Sequence, residues 1–209
     1  MDRTAAVARM KQGLGFRKNL DDVCVAALQE AQREFELGGS LPWFLVEEDA
    51  TITTEQDSSS IELPDGWLRI YEDEGPYYLD PDGGLSYIQF RPYDELKKFY
   101  NSTDAGAPAG LAIRNGTFAV FPVPDAAYTI TLSYYKAADV LTSDVENAWL
   151  ANVPDLLINR AGMLVAADIE HSTALKKFSD KYDMWRVRYL SEIAARADQN
   201  SPRQMGVNQ

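Results

Sequence analysis

The sequence predicts an α+β protein: a helical bundle built from N- and C-terminal helices, with an antiparallel β-rich lobe inserted between them. Three observations carry this. Apolar residues recur at three- and four-residue steps near both ends, they alternate with a period of two from Leu41 to about Tyr135, and turn signals interrupt that middle stretch at short intervals. The bundle is expected from 1–40 and 146–197, the β-rich lobe from 41–145, and a flexible tail from 198–209. A chain of 209 residues, 45% hydrophobic and 25% charged, can bury a core of its own without disulfides or metals.

The elements follow in order. A short helix is expected from Thr4 to Gln12, ended by Gly13-Leu14-Gly15. Asn19 is placed to cap a second helix in which Val23, Ala26, Ala27, Glu30, Ala31 and Phe35 recur, and Gly38-Gly39 stop it. Strands are read at Trp43–Val46, Thr51–Thr54, Ser60–Leu63, Trp67–Tyr71 and Leu85–Phe90, separated by Pro64-Asp65-Gly66, Glu74-Gly75-Pro76 and Pro81-Asp82-Gly83-Gly84. A short helix spans roughly Pro92 to Tyr100. Asn115-Gly116 between Leu111-Ala112-Ile113 and Phe118–Phe121 is a strong hairpin signal, because both turn positions need positive φ. Tyr128–Tyr135 alternates cleanly as a final strand. Asn152, with Pro154 in the first turn, is expected to start a helix through Leu156, Leu157, Ala161, Leu164, Val165 and Ile169. Ser172 is placed to cap the last helix. There Leu175, Phe178, Tyr182, Trp185 and Tyr189 form an a/d seam expected to be buried against the preceding helix and the N-terminal ones.

Charge is segregated along the chain. The net charge is −12, yet Trp43–Asp104 alone holds 15 acidic and 4 basic residues. Residues 1–20 hold Arg3, Arg9, Lys11, Arg17 and Lys18 against Asp2, and Lys176–Arg196 is also basic. Such a balance argues against simple nucleic-acid binding, which needs a basic face for phosphate. A solvated surface explains the acidity most simply. The sharper reading is a molecule with complementary faces, suited to stacking on copies of itself or repelling a passing polyanion. No run approaches a membrane span, and Arg3, Arg9 and Lys11 interrupt any signal-like stretch near Met1, so synthesis in a reducing cytoplasm and no membrane partner are expected.

The residues that could do chemistry are few. His171 is the one histidine and is expected at a helix C-terminus; Cys24, the one cysteine, is expected as a buried small hydrophobe. Gly13-Leu14-Gly15 lacks the strand and third glycine of a phosphate loop. Glu47-Glu48-Asp49 and Glu72-Asp73-Glu74 are adjacent runs, poor acid/base pairs on a strand, and are expected in solvated turns. Asp80-Pro81-Asp82-Gly83 lacks the distal ligands of a calcium loop and is expected to be a hairpin turn. Asn101-Ser102-Thr103 and Asn115-Gly116-Thr117 match the glycosylation pattern but lack a secretory context. No catalytic residue, cofactor or metal site is therefore expected, and a structural protein is the leading reading. Alternatives are a virion or tail component whose Trp67, Tyr71, Tyr77, Tyr78, Tyr87, Phe90 and Tyr93 bind carbohydrate, or a hydrolase using the Asp/Glu cluster.

The layout resembles the head–tail connector (adaptor) proteins of tailed bacteriophages. The residues that carry the resemblance are Leu63-Pro64-Asp65-Gly66-Trp67, the strands Leu111–Ile113, Phe118–Pro122 and Ile130–Tyr135, and the closing helices Val153–Ile158 and Leu175–Ile193. Most distinctive is the strand ending Tyr134-Tyr135, followed by a polar link, Asn147-Ala148-Trp149-Leu150 and then Pro154-Asp155-Leu156-Leu157. The resemblance implies a virion protein that forms a ring of twelve copies beneath the portal protein. Its C-terminal helix and tail would grip the portal, its other side would meet tail, nozzle or tail-fibre proteins, and genomic DNA would pass through the lumen without specific binding. Pro202, Arg203, Met205 and Val207 are the candidate portal-binding anchors of that tail.

Overall fold

The computed structural model describes residues 1–17, 19–71, 75–80, 82–100, 104–142 and 146–200, the side chains of 197–200 excepted. In chain order the elements are helices α1 (Arg3–Gly13) and α2 (Asp21–Glu36), a 3-10 turn (Trp43–Leu45), and strands β1 (Val46–Thr53), β2 (Ser60–Glu62), β3 (Trp67–Ile70), β4 (Tyr77–Leu79), β5 (Leu85–Tyr87) and β6 (Gln89–Phe90). Helix α3 (Tyr93–Phe99) is followed by β7 (Ala105–Gly106), β8 (Gly110–Arg114), β9 (Thr117–Phe121), β10 (Val123–Pro124) and β11 (Thr129–Lys136), then α4 (Ala148–Asn152), α5 (Pro154–Asp168) and α6 (Ser172–Asn200). The fold is α+β, with N- and C-terminal helices flanking antiparallel sheets. The chain divides into two compact units, one of Met1–Leu45 with Ala138–Gln209 and one of Val46–Ala137.

In the helical unit α5 is the centre. Leu156, Leu157, Ile158, Asn159, Ala161, Gly162, Val165 and Ala166 are all buried, and α1, α2, α4 and α6 pack around it. A helix apolar on nearly every side belongs in the middle of a bundle. The ring of Phe178 from α6 lodges where two glycines open space. A Cβ on Gly13 would lie 2.4 Å from Phe178 Cζ, and one on Gly162 would lie 2.6 Å from its ring carbons. Any side chain at either position would displace the ring.

A polar network closes this unit. Glu36 Oε1 accepts hydrogen bonds from Gln32 Nε2 at 3.0 Å, Trp149 Nε1 at 2.9 Å and the Ala138 backbone N–H at 3.1 Å. Gln32 Nε2 also donates to Ala138 O, and its Oε1 accepts from Asn147 Nδ2. Asn147 in turn donates to Asp139 O and accepts from the Leu150 N–H as the N-cap of α4. Every amide group of Gln32 and Asn147 is used, which is what allows both to be buried.

The second unit is a two-sheet β structure. One sheet runs β1-β11-β4-β5 with β3 also on β11; the other runs β2-β9-β8-β6, and β7 pairs with β10. The pairings are antiparallel except for β6–β8 and β7–β10, which are parallel. Ile52, Tyr78, Ile130, Leu132 and Tyr134 from the first sheet share one core with Leu111, Phe118 and Val120 from the second, and Ile88 joins them. Trp67 seals it, edge-on to Phe118 at 5.0 Å and stacked on Tyr134 at 5.1 Å. Helix α3 covers the outer side of β8, where Gly110 leaves room for Leu96. Asn115 and Gly116 have φ of 53° and 78°, as the β8–β9 hairpin requires.

Several expectations about local structure need correction. Asn19 sits at φ 64° and Leu20 is the N-cap of α2, so no side chain caps that helix. Its buried stripe is Cys24, Ala27, Leu28, Ala31 and Gln32 rather than one running through Val23, Ala26 and Glu30. A buried, fully bonded glutamine reads as surface in a sequence, which rotates the inferred stripe. Trp43–Leu45 is a 3-10 turn, and the strand starts at Val46. Glu47-Glu48-Asp49 lies within β1, at an irregularity of its register on β11 where Asp49 takes φ 52°. Asn152 ends α4 and bonds back to Ala148 O; Val153 precedes α5 without a side-chain cap. His171, not Ser172, stands before α6: its carbonyl accepts from Leu175 N–H and its Nδ1 from Ala174 N–H. Glu72-Asp73-Glu74, Pro81 and Asn101-Ser102-Thr103 lie outside the described residues.

Replacing Glu36 by Ala leaves three donors without their acceptor, one of them a buried indole N–H. The expected cost is about 3 kcal/mol, a fall in melting temperature of roughly 6–12 °C for a chain of this size. Thermal denaturation followed by circular dichroism tests it; a melting curve unchanged from the parent would show that the network contributes nothing.

Candidate assembly surface

Helix α6 carries the candidate seam. Its residues Leu175, Phe178, Tyr182, Trp185 and Tyr189 fall on one side, but the side is unevenly covered: Phe178 is buried and the other four are half-buried. Phe178 has the two glycines to enter. Tyr182 stacks on Phe35 at 6.4 Å and Tyr189 tilts against Trp149 at 6.2 Å. Both tyrosines line an open groove of about 200 Å³ with Phe35, Gly38, Gly39 and Leu156. Trp185 lies under the Arg188 guanidinium at 4.9 Å, and Arg196 sits over Trp43 at 3.9 Å.

Beside that groove, α2 and α5 are locked by charge. Arg160 donates through Nε and Nη2 to the two oxygens of Glu34, at 2.6 and 2.8 Å. This bidentate geometry is the favourable one for a guanidinium and a carboxylate. The hydrogen bonds from Arg160 hold the Glu34 carboxyl below its ordinary range, against a smaller opposing effect of burial, and the same bonds raise Arg160.

Heptad reasoning gives α6 one apolar side, and the structure leaves further apolar residues of this helix exposed. Met184 and Val187 are exposed on the side away from the seam, whereas Leu190, also exposed, lines the groove with Tyr182 and Tyr189. Their signal in the sequence is three apolar residues at three-residue steps falling between seam positions. Charges of both signs run alongside at helical spacing, Lys177, Lys181 and Arg188 beside Met184 and Asp180 and Asp183 beside Val187, all exposed.

The remaining candidates are dispersed. Cys24 is a free, buried thiol whose pKa is raised by burial and by Asp21, which makes it a poor nucleophile. Asp80 and Gly84 close the β4–β5 turn by backbone hydrogen bonding, and the Asp80 carboxylate accepts from Ser86 Oγ at 2.6 Å. The aromatic set does not form one platform. Trp67 and Tyr78 belong to the core, Phe90 packs against it, Tyr71 meets Tyr135, Tyr77 meets Tyr87, and Tyr93 meets Phe121. Tyr93 also lies under Arg114 at 4.1 Å, in a groove of about 290 Å³ shared with Ser60, Thr117 and Phe121. Among the described residues no group of three or more His, Cys, Asp or Glu is placed to hold a metal ion. No described helix is long and apolar enough to cross a membrane. The tail anchors Pro202, Arg203, Met205 and Val207 lie outside the described residues.

Helices at both ends, a β unit between them and exposed apolar residues on each unit are the features of an α+β protein. The chain matches the family model described as SU10 adaptor protein over residues 3–207 and belongs to that family. It is accordingly a bacteriophage adaptor, a structural component of the virion that interacts with other head or tail proteins. No curated protein matches the chain.

Two expected outcomes follow from this geometry. Phe178→Ala should cost about 3–5 kcal/mol, since it empties a buried, glycine-lined slot, whereas Trp185→Ala at a half-buried position should cost about 1–2 kcal/mol. Urea unfolding of both variants tests the order; equal losses would mean that the slot around Phe178 collapses freely. Because the folded-state pKa of Glu34 is depressed, its contribution to stability is complete above the ordinary glutamate range and is lost as pH falls through the lower folded value. Glu34→Gln should thus be less stable than the parent at neutral pH, with the gap closing in acid. A gap independent of pH would assign the effect to packing alone.

Proposed function

We propose that the protein forms a ring, of twelve copies, that docks on the portal protein and joins the phage head to the tail. The family match across residues 3–207 carries the proposal. In this reading the helical part, 1–40 and 146–197, serves the portal, with the tail 198–209 reaching onto it. The β-rich lobe, 41–145, offers a platform to tail, nozzle or fibre proteins. DNA passes through the lumen, where the acidic surplus of Trp43–Asp104 supports passage without adhesion, since like charges raise the cost of contact.

The tail suits a docking role. It is polar, so ordering it in isolation would cost roughly 1–2 kcal/mol per residue of backbone entropy with little burial to offset it. Pro202, Arg203, Met205 and Val207 supply a few anchors that a groove on a partner could take.

Deletion of 198–209 should leave the melting temperature within a degree or two of the parent and abolish attachment to purified portal rings. Mass photometry of the mixture reads both the mass added and the number of copies. A truncated chain that still loads portals in full would remove the tail from the docking surface.

A further inference from the structure

The groove between the end of α2 and the second half of α6 has an apolar interior and an open mouth. Leu156 is its buried floor, and Phe35, Tyr182, Tyr189 and Leu190 line it. Leu190 is 41% exposed, so apolar surface meets water at the mouth. On the α2 side the lip is Gly38-Gly39-Ser40. A Cβ built on Gly39 would meet nothing within 4 Å, which leaves room for a second backbone along this lip. At about 200 Å³ the groove is smaller than the roughly 300–1,000 Å³ of a drug-sized ligand pocket, a size for one or two side chains.

The chain carries a segment of matching chemistry within reach. In Met205-Gly206-Val207 two apolar residues stand two positions apart, which in an extended chain puts them on one side, with a glycine between them. The Arg196 guanidinium lies 3.9 Å from the Trp43 ring, which ties the far end of α6 to the chain three residues past Ser40. A helix rises about 1.5 Å per residue, so Leu190 lies about 15 Å back from Asn200, the end of α6. An extended chain covers about 3.3 Å per residue, and residues 203–207 therefore span about 16 Å. A reversal at Ser201-Pro202 brings Val207 level with Tyr189 and Leu190.

We infer that Met205 and Val207 of the tail dock in this groove of their own copy. The contact rests on the reading of 198–209 as the portal anchor and adds a state to it: the free chain holds its anchors folded back on α6, and the portal takes them over. Tethering makes the contact intramolecular, at an effective concentration in the millimolar range for a short flexible linker, so two small apolar anchors suffice. A contact of that size stays reversible, as exchange onto a partner requires. A tail docked nine times in ten lowers its apparent affinity for a portal about tenfold.

Disulfide trapping tests the docking in the full chain, where Cys24 is buried and stays out of the reaction. Ser40→Cys/Val207→Cys puts one thiol on the lip and one on the tail. Val187→Cys/Val207→Cys puts the first on α6 at the same height but outside the groove, at an exposed position. The lip pair should close within single chains at least about tenfold faster than the control pair, an excess set by the local concentration that docking creates. Gly39→Phe, which adds a ring in open space, should erase that excess without lowering the melting temperature. In a chain without the added cysteines the same change should raise loading on portal rings by up to about tenfold. Equal closure rates for the two pairs would overturn the docking, and so would closure of the lip pair only between chains, which would give the groove to a neighbour's tail. The portal reading fails separately: a chain lacking 198–209 that loads portals in full would refute it, while the trapping excess in the full-length chain stood.

Discussion

One carboxylate oxygen holds the helical unit closed. The first 45 residues and the segment from Ala138 onward build that unit together, with Val46–Ala137 forming a unit of their own between them. Glu36, at the end of α2, catches the chain where it returns, through the Ala138 N–H, and holds the Trp149 indole in the same grip. The returning segment has lost its strand partners and has not yet begun a helix, so its backbone groups need side-chain partners. Gln32, Asn147 and Glu36 provide them. Loop-closure entropy grows slowly with length, about 0.6 kcal/mol per doubling, so a long insertion is cheap if its ends are held. The network holds one of them.

The second constraint is steric. Gly13 on α1 and Gly162 on α5 leave the slot that Phe178 fills, which brings α6 onto two helices at once. Helix propensity alone favours alanine over glycine by about 1 kcal/mol at an interior position such as 162. The ring seated there gives back more than that in buried area. Beyond Phe178 the cover thins, and the later seam residues are half-exposed beside an open groove. Helix α6 therefore has an anchored first half and a second half whose outer side remains available.

That availability matches what an adaptor needs. Membership in the SU10 adaptor protein family assigns the chain to contacts within a phage particle. Its distinctive physical features are surfaces: a helix α6 with exposed apolar and charged residues, a hairpin with Leu79, Leu85 and Tyr87 exposed, and an acidic middle region. Cys24 is buried with its thiol pKa raised, and the aromatics of the β unit pair mainly with one another.

The fold class, the end helices, most strands and the Asn115-Gly116 hairpin could be read from periodicity and turn chemistry, because each depends on neighbours within a few residues. The family resemblance could be read as well, from the order of strand, Asn-Ala-Trp-Leu and Pro-Asp-Leu-Leu around residues 134–158. Local pattern did not reveal the burial of Gln32 and Asn147, since polar residues become core residues only when distant donors and acceptors meet them. Nor did it reveal β4, three residues long, whose strand character comes from pairing with β5 and β11. The seam on α6 follows from spacing. Its uneven burial was decided by where Gly13, Gly162 and Phe35 came to lie. Sequence sets which side of a helix can be buried; only tertiary packing decides how much of that side finds a partner within the chain and how much is left for another.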